Sequence, residues 1–228
     1  MKITVYENEY VVEGVVVSDL QQRTFCIFDF EGTGIDFRTE CITQIGALRV
    51  EGEEPNHSQI SFNSLVKSPK RIPPQIEELT GITNDAMTDA PSFPDVYRQF
   101  AEFVDGTVLI TQAGYEYDIP MLEKYCEQHQ LPMLTNPVID TKALFTNIHP
   151  EVTDVVSADF LVQYYQIETA HLKRHDALDD CILIGHILKH ILDEYTEKGL
   201  TTFDTAAGLK VKRFIMPSMY LENSPTTE

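Results

Sequence analysis

The chain has 228 residues, 43% of them hydrophobic, with 11 Gly and 12 Pro; this is the make-up of one large globular domain with appendages, not of a disordered, collagenous or low-complexity chain. Its 17 Lys plus Arg stand against 36 Asp plus Glu, a net charge of −19, and so acidic a surface repels phosphate backbones, which speaks against a tight nonspecific binder of long duplex. No stretch approaches the roughly 20 apolar residues that a membrane span needs.

Residues 1–20 read as an N-terminal extension in which residues 11–17 predict an edge strand; Glu13 and Gly14 interrupt that run, so it is not expected to act as a secretory signal. Residues 24–30, 41–50 and 59–67 are apolar or alternating and predict three strands. Gly32, Gly34 and Asp36 mark the first turn between them, and Gly52, Pro55 and Asn56 the second. An antiparallel meander is expected. Ser92 with Asp95 resembles a capping box, and Phe93, Val96, Phe100 and Phe103 recur at helical spacing. A short strand at 107–111, a helix at 119–129 and a strand at 137–140 follow. Ser157 is expected to cap a helix running to residue 165, and a long helix opens at His175 or Asp176 and runs to about residue 195. Strands first, then strand alternating with helix, predict a mixed α/β sheet covered by helices. Residues 199–228 form a C-terminal extension with a polar, partly flexible end. Its Lys210, Lys212 and Arg213 read as serving solubility.

The four cysteines, Cys26, Cys41, Cys126 and Cys181, are scattered and read as reduced thiols of a cytoplasmic protein, with no disulfide or zinc role. His186 and His190 share a helix face without a third ligand and read as a structural pair.

The chemistry concentrates in carboxylates. On a strand, Asp29 and Glu31 project to one side while Phe28 and Phe30 point to the other. Two converging carboxylates repel unless a cation lies between them, and oxygen ligands suit Mg²⁺ or Mn²⁺. From that pair alone a solvent-facing acidic strand end would explain as much. Asp118 heads the helix after the fourth strand, where an N-cap role is the plain explanation. Asp176 and Asp179 suit the first turn of the long helix, whose dipole favours acids.

Taken in order, D-x-E at Asp29 and Glu31, Asp118 at a helix head, and H-x-x-x-x-D at His175 and Asp180 resemble the DEDDh group of 3′→5′ exonucleases, relatives of polymerase proofreading domains. The resemblance runs from about residue 24 to 195 and includes the turn Thr80, Gly81, Ile82. Gln44 stands where the family commonly carries Glu.

The resemblance implies a ribonuclease H-like fold, a mixed five-stranded sheet flanked by helices, with residues 21–198 as the exonuclease domain. It also implies two Mg²⁺, with Mn²⁺ able to substitute, held by Asp29, Glu31, Asp118 and Asp180, and His175 as general base. Two ions ~3.5–4 Å apart can clamp the attacking and leaving oxygens of a phosphodiester. On an ideal helix His175 and Asp180 would diverge by roughly 140°, so His175 is expected on the loop before it.

Gly32, Thr33 and Gly34 are candidate substrate-binding residues, small enough for close approach of a terminal nucleotide. Lys173 and Arg174 could contact phosphate or simply line a wet loop, and Tyr115 and Tyr117 could stack on a base or pack in the core. The expected activity is hydrolysis at the 3′ end of single-stranded DNA or RNA, releasing nucleoside 5′-monophosphates, with a polymerase or another protein as partner. A noncatalytic nucleic-acid- or polymerase-binding module of the same fold is the alternative, and an acidic structural protein a third.

Overall fold

The computed structural model describes residues 1–51 and 60–214. The turn predicted at Gly52, Pro55 and Asn56, the first residue of the third predicted strand and the polar C-terminal end lie outside the described residues.

Three short strands come first, β1 (Lys2–Val5), β2 (Glu9–Glu13) and β3 (Val16–Val17). The predicted meander follows as β4 (Thr24–Gly32), β5 (Ile42–Glu51) and β6 (Ile60–Leu65), each pair antiparallel. Helix α1 (Pro74–Thr80) starts on a proline and ends at Gly81, whose φ of 77° suits the left-handed cap that glycine supplies. Next come α2 (Phe93–Phe103), β7 (Val108–Thr111), α3 (Asp118–Gln128) and β8 (Val138–Asp140). Helices α4 (Thr141–Ile148), α5 (Ala158–Tyr165) and α6 (Ala177–Glu197) lead to β9 (Phe203–Asp204) and β10 (Leu209–Lys212).

The main sheet has the order β6-β5-β4-β7-β8, with β7 and β8 parallel to β4. It is the mixed five-stranded sheet, flanked by helices, of a ribonuclease H-like fold. On one face Phe28 and Phe30 pack against Phe100 of α2, ring centroids 6.0 and 6.1 Å apart. On the other lies α6, burying Cys181, Ile184, Ile187, Leu188 and Ile191.

Two predicted caps differ in detail. Ser157 accepts from the Phe160 amide as expected, but the Ser92 hydroxyl donates to the Asp95 carboxylate and leaves the amides uncapped. Helices α1 and α4 carry no apolar stripe long enough to predict; α4 leaves β8 with no turn residue between them.

Residues 1–17 add no strand to the five-stranded sheet. Instead β2 lies between β1 and β10 in a second sheet, and β3 pairs with β9, so the two ends of the chain fold together. All four cysteines are free. Among the described residues no helix is long and apolar enough to cross a membrane.

Candidate active site

The strand period sets the first half of the site. Asp29 and Glu31 of β4 sit opposite Gly46 and Gln44 of β5, and cross-strand neighbours share a face. That face is the one α6 covers. A side chain at Gly46 would put its Cβ 2.4 Å from the Ala177 carbonyl carbon and 2.7 Å from the Leu178 nitrogen, so only glycine lets the head of α6 reach the sheet here. Gln44 completes the contact: its amide oxygen accepts from the Ala177 N–H at 3.3 Å and its nitrogen donates to Asn63 at 2.9 Å.

Asp176 caps α6, accepting from the amides of Leu178 and Asp179, and Asp179 accepts from the Lys173 amide at 2.8 Å. Both do the work expected of acids at a helix head. Asp180, one turn in, faces the sheet instead. It accepts from the His175 amide at 2.9 Å and from Arg174 Nε at 3.0 Å.

Asp118 does not cap α3. The cap position is Tyr117, and the Asp118 carboxylate, only 3% exposed, accepts across the sheet from the Phe30 amide at 3.3 Å and from the Thr111 hydroxyl at 2.9 Å. Gly114 makes room for it, since a Cβ there would lie 2.1 Å from the Thr111 hydroxyl and 2.7 Å from an Asp118 oxygen.

His175 lies on the loop before α6, exposed, with a left-handed backbone at φ 62°. A nitrogen of its ring, an oxygen of Glu31 and an oxygen of Asp180 lie within 4.8 Å of one another, a group that could hold a metal ion. Asp29 and Asp118 stand outside that group but within electrostatic reach of it. His186 and His190 form no such group: His190 stacks on Tyr165 at 5.0 Å and His186 meets His171 edge-on.

The glycine turn is more committed than its composition suggests. Thr33, 1% exposed, donates its hydroxyl to Glu40 and accepts from the Cys41 amide at 3.0 Å. Gly32 is buried beneath Tyr117, whose hydroxyl would lie 2.2 Å from a Cβ at that position. That hydroxyl donates to the Gly34 carbonyl at 2.8 Å, so Tyr117 braces the turn, while Tyr115 is a core ring bonded to the Val138 carbonyl. Lys173 reaches the Thr80 carbonyl at 2.9 Å, and Arg174 bridges Asp180 and Asp159.

Burial raises all four carboxylates, and neighbouring negative charge adds to it at Asp29, Glu31 and Asp118. Glu31 is pushed up to about 8 by burial, then by Asp180 and Asp118. Asp118 rises to about 7 by burial, partly offset by its hydrogen bonds from Thr111 and Phe30. Asp29 goes well above the usual range through burial and the Asp118, Glu31 and Asp180 charges, and Asp180 is raised by burial against the opposing pull of Arg174. A ring of hard oxygen donors that resists ionisation without a counter-charge fits Mg²⁺ or Mn²⁺.

These groups have folded values above their unfolded ones, so metal-free protein is expected to keep this contribution below about pH 4 and lose it as pH rises through about 7 to 8. Thermal melts in chelator should fall across that window, and Mg²⁺ should restore the loss at its upper end. A flat melting temperature over the window would refute the repulsive cluster.

The exonuclease family model RNase_T matches residues 26–188. This chain belongs to that exonuclease family. Among similar proteins, the DNA polymerase III subunit epsilon of Aquifex aeolicus is 31% identical over 176 residues, 77% of this chain and 84% of that protein. The PolC-type DNA polymerase III of Bacillus subtilis is 29% identical over 186 residues, 81% of this chain; the chain spans 12% of that relative's length. In structure, the nuclease domain of 3'hExo, a DEDDh family member bound to rAMP, superposes with a TM-score of 0.66 at 19% identity, covering 78% of this chain and 95% of that one.

Proposed function

We propose that this exonuclease removes nucleotides from the 3′ end of single-stranded DNA or RNA and releases nucleoside 5′-monophosphates. The observation that supports it most is the convergence of Asp29, Glu31, Asp118 and Asp180 from three separate elements, with Arg174 as the cation bonded to one of them. These four would hold two Mg²⁺, or Mn²⁺ in their place. When bound, such ions activate a water and stabilise the leaving oxygen.

His175 would take the proton of the attacking water, the task for which an imidazole near the site's rim is suited. Arg174 orients Asp180 through its Nε, and the tie from the His175 amide to Asp180 holds the base loop against the same carboxylate. With the Thr33 hydroxyl engaged by Glu40 and Cys41, the turn of Gly32, Thr33 and Gly34 would offer the substrate its backbone. The epsilon and PolC relatives make a replicative polymerase the natural protein partner to propose.

The test is degradation of a 3′-labelled single strand with and without chelator. Metal-dependent release of labelled mononucleotide is expected; an intact strand in saturating Mn²⁺ would favour a noncatalytic binding module. A single-stranded 3′ end should be cut at least ~10-fold faster than a blunt duplex, because the terminal nucleotide must leave the stack at a cost of a few kcal/mol. A 3′-phosphate should block cleavage. Preference for a 5′ end, or cutting of a circular strand, would sink the assigned polarity.

A further inference from the structure

Residues 113–118, between β7 and α3, turn sharply, with Ala113 in the left-handed region at φ 60°. One side of the turn is pinned by Asp140, which accepts from the amides of Ala113 at 3.1 Å and Tyr115 at 3.2 Å while capping α4 through the Lys142 amide. The other side is pinned by charge. Each oxygen of Glu116 takes one cation: Lys142 Nζ at 2.5 Å and Arg213 Nε at 3.3 Å. Lys142 is 1% exposed, with its ammonium 5.6 Å from the centre of the Tyr10 ring of β2, and Tyr10 meets Tyr115 edge-on at 6.1 Å. Arg213, just past β10, also donates to the Tyr6 carbonyl at 2.8 Å, between β1 and β2.

We propose that the sheet built from both chain ends is a positioning device for the Asp118 carboxylate, acting through the Lys142, Glu116 and Arg213 cluster. The inference rests on the reading of Asp118 as a metal ligand. Glu116 stands two residues before Asp118, so the geometry of its ion pairs is transmitted to the ligand by two peptide units. A buried lysine needs its partner closely held, because an ammonium in a dry interior is tolerated only when paired. Arg213 supplies the second hold and ties it to strands from both termini. Lys210 pairs with Glu9 on the same sheet, but at the surface and away from the turn.

Arg213→Ala removes the outer cation while leaving the buried pair, so the variant should fold. Expected results are a ~10-fold rise in the Mn²⁺ concentration for half-maximal activity and a fall in kcat of similar size, the usual worth of a residue that orients a metal ligand. KM for the labelled strand should stay within about twofold. In metal-free protein, amide exchange should quicken at residues 113–118 and not along β4. Lys210→Ala should match the parent in every measurement.

Parental exchange at the turn and a parental Mn²⁺ requirement in Arg213→Ala would overturn the inference. A lower melting temperature with the Mn²⁺ requirement unchanged would do so too, since it would leave only a structural role. Asp118→Asn is titrated with Mn²⁺ by calorimetry alongside. Binding like the parent's would overturn the ligand reading itself, and weakened binding would keep that reading and let Arg213→Ala decide the brace alone.

Discussion

Asp29→Asn is expected to lower phosphodiester hydrolysis by at least ~10³-fold in saturating Mn²⁺, the scale seen when one member of a catalytic constellation is lost. The amide keeps the shape of the carboxylate and loses the charge that would hold the cations. Asp29 feels the charges of Asp118, Glu31 and Asp180 together, as the residue among the four that would share its oxygens most widely. The fold should survive, because Phe28 and Phe30 on either side bury their rings on the opposite face, against α2. In chelator the variant should melt higher than the parent near neutral pH, as a repelling charge has left a buried cluster. Near-parental turnover by purified Asp29→Asn would end the two-metal mechanism, and a lower melting temperature in chelator would show that the carboxylate has a structural partner.

His175→Ala should lower kcat by ~10²–10⁴-fold, the usual worth of a general base, with the Mn²⁺ concentration for half-maximal activity unchanged. A general base must be unprotonated to accept the proton of the attacking water, so the variant should lose whatever limb of the parent's pH–rate profile His175 contributes. A metal-bound water can titrate nearby, so the variant's profile is the needed comparison. His175 also sits at φ 62°, where Ala is strained and Asn is tolerated, so His175→Asn separates loss of the ring from movement of the loop. Both variants should lose the same activity. Its ring lies beside Glu31 and Asp180, so a rise in the Mn²⁺ requirement would instead identify His175 as a ligand. Unchanged turnover with the same pH profile would remove it from the chemistry.

The periodicity of the chain carried much of this site. Period two put Asp29 and Glu31 on one face and two phenylalanines on the other, and the rotation between His175 and Asp180 put the histidine on a loop; the structure has both arrangements. The order of the acidic motifs pointed to the family. Less legible were the residues that hold the carboxylates: Gly46 and Gln44 under the head of α6, Thr111 and Gly114 around Asp118, and Tyr117 over Gly32. None has a local pattern, because each is defined by what packs on it from elsewhere in the chain.

What the sequence by itself determined is which side chains share a face, since the 2.0 and 3.6 residue periods are properties of the local backbone. The extents of α3, α5 and α6 to within about two residues, the meander and the carboxylate pair follow from that. Only the tertiary structure decided which element covers each face. Thr33 turns inward because Glu40 and the Cys41 amide wait there, and Asp118, in the first turn of α3 with Tyr117 at the cap position, turns its carboxylate to the Phe30 amide and the Thr111 hydroxyl. The two chain ends pair across a separation of 190 residues at Val15 and Thr205. Short strands carry no label for their partner, so that pairing, and the brace it builds behind Asp118, exist only once the main sheet has brought both ends to the same side.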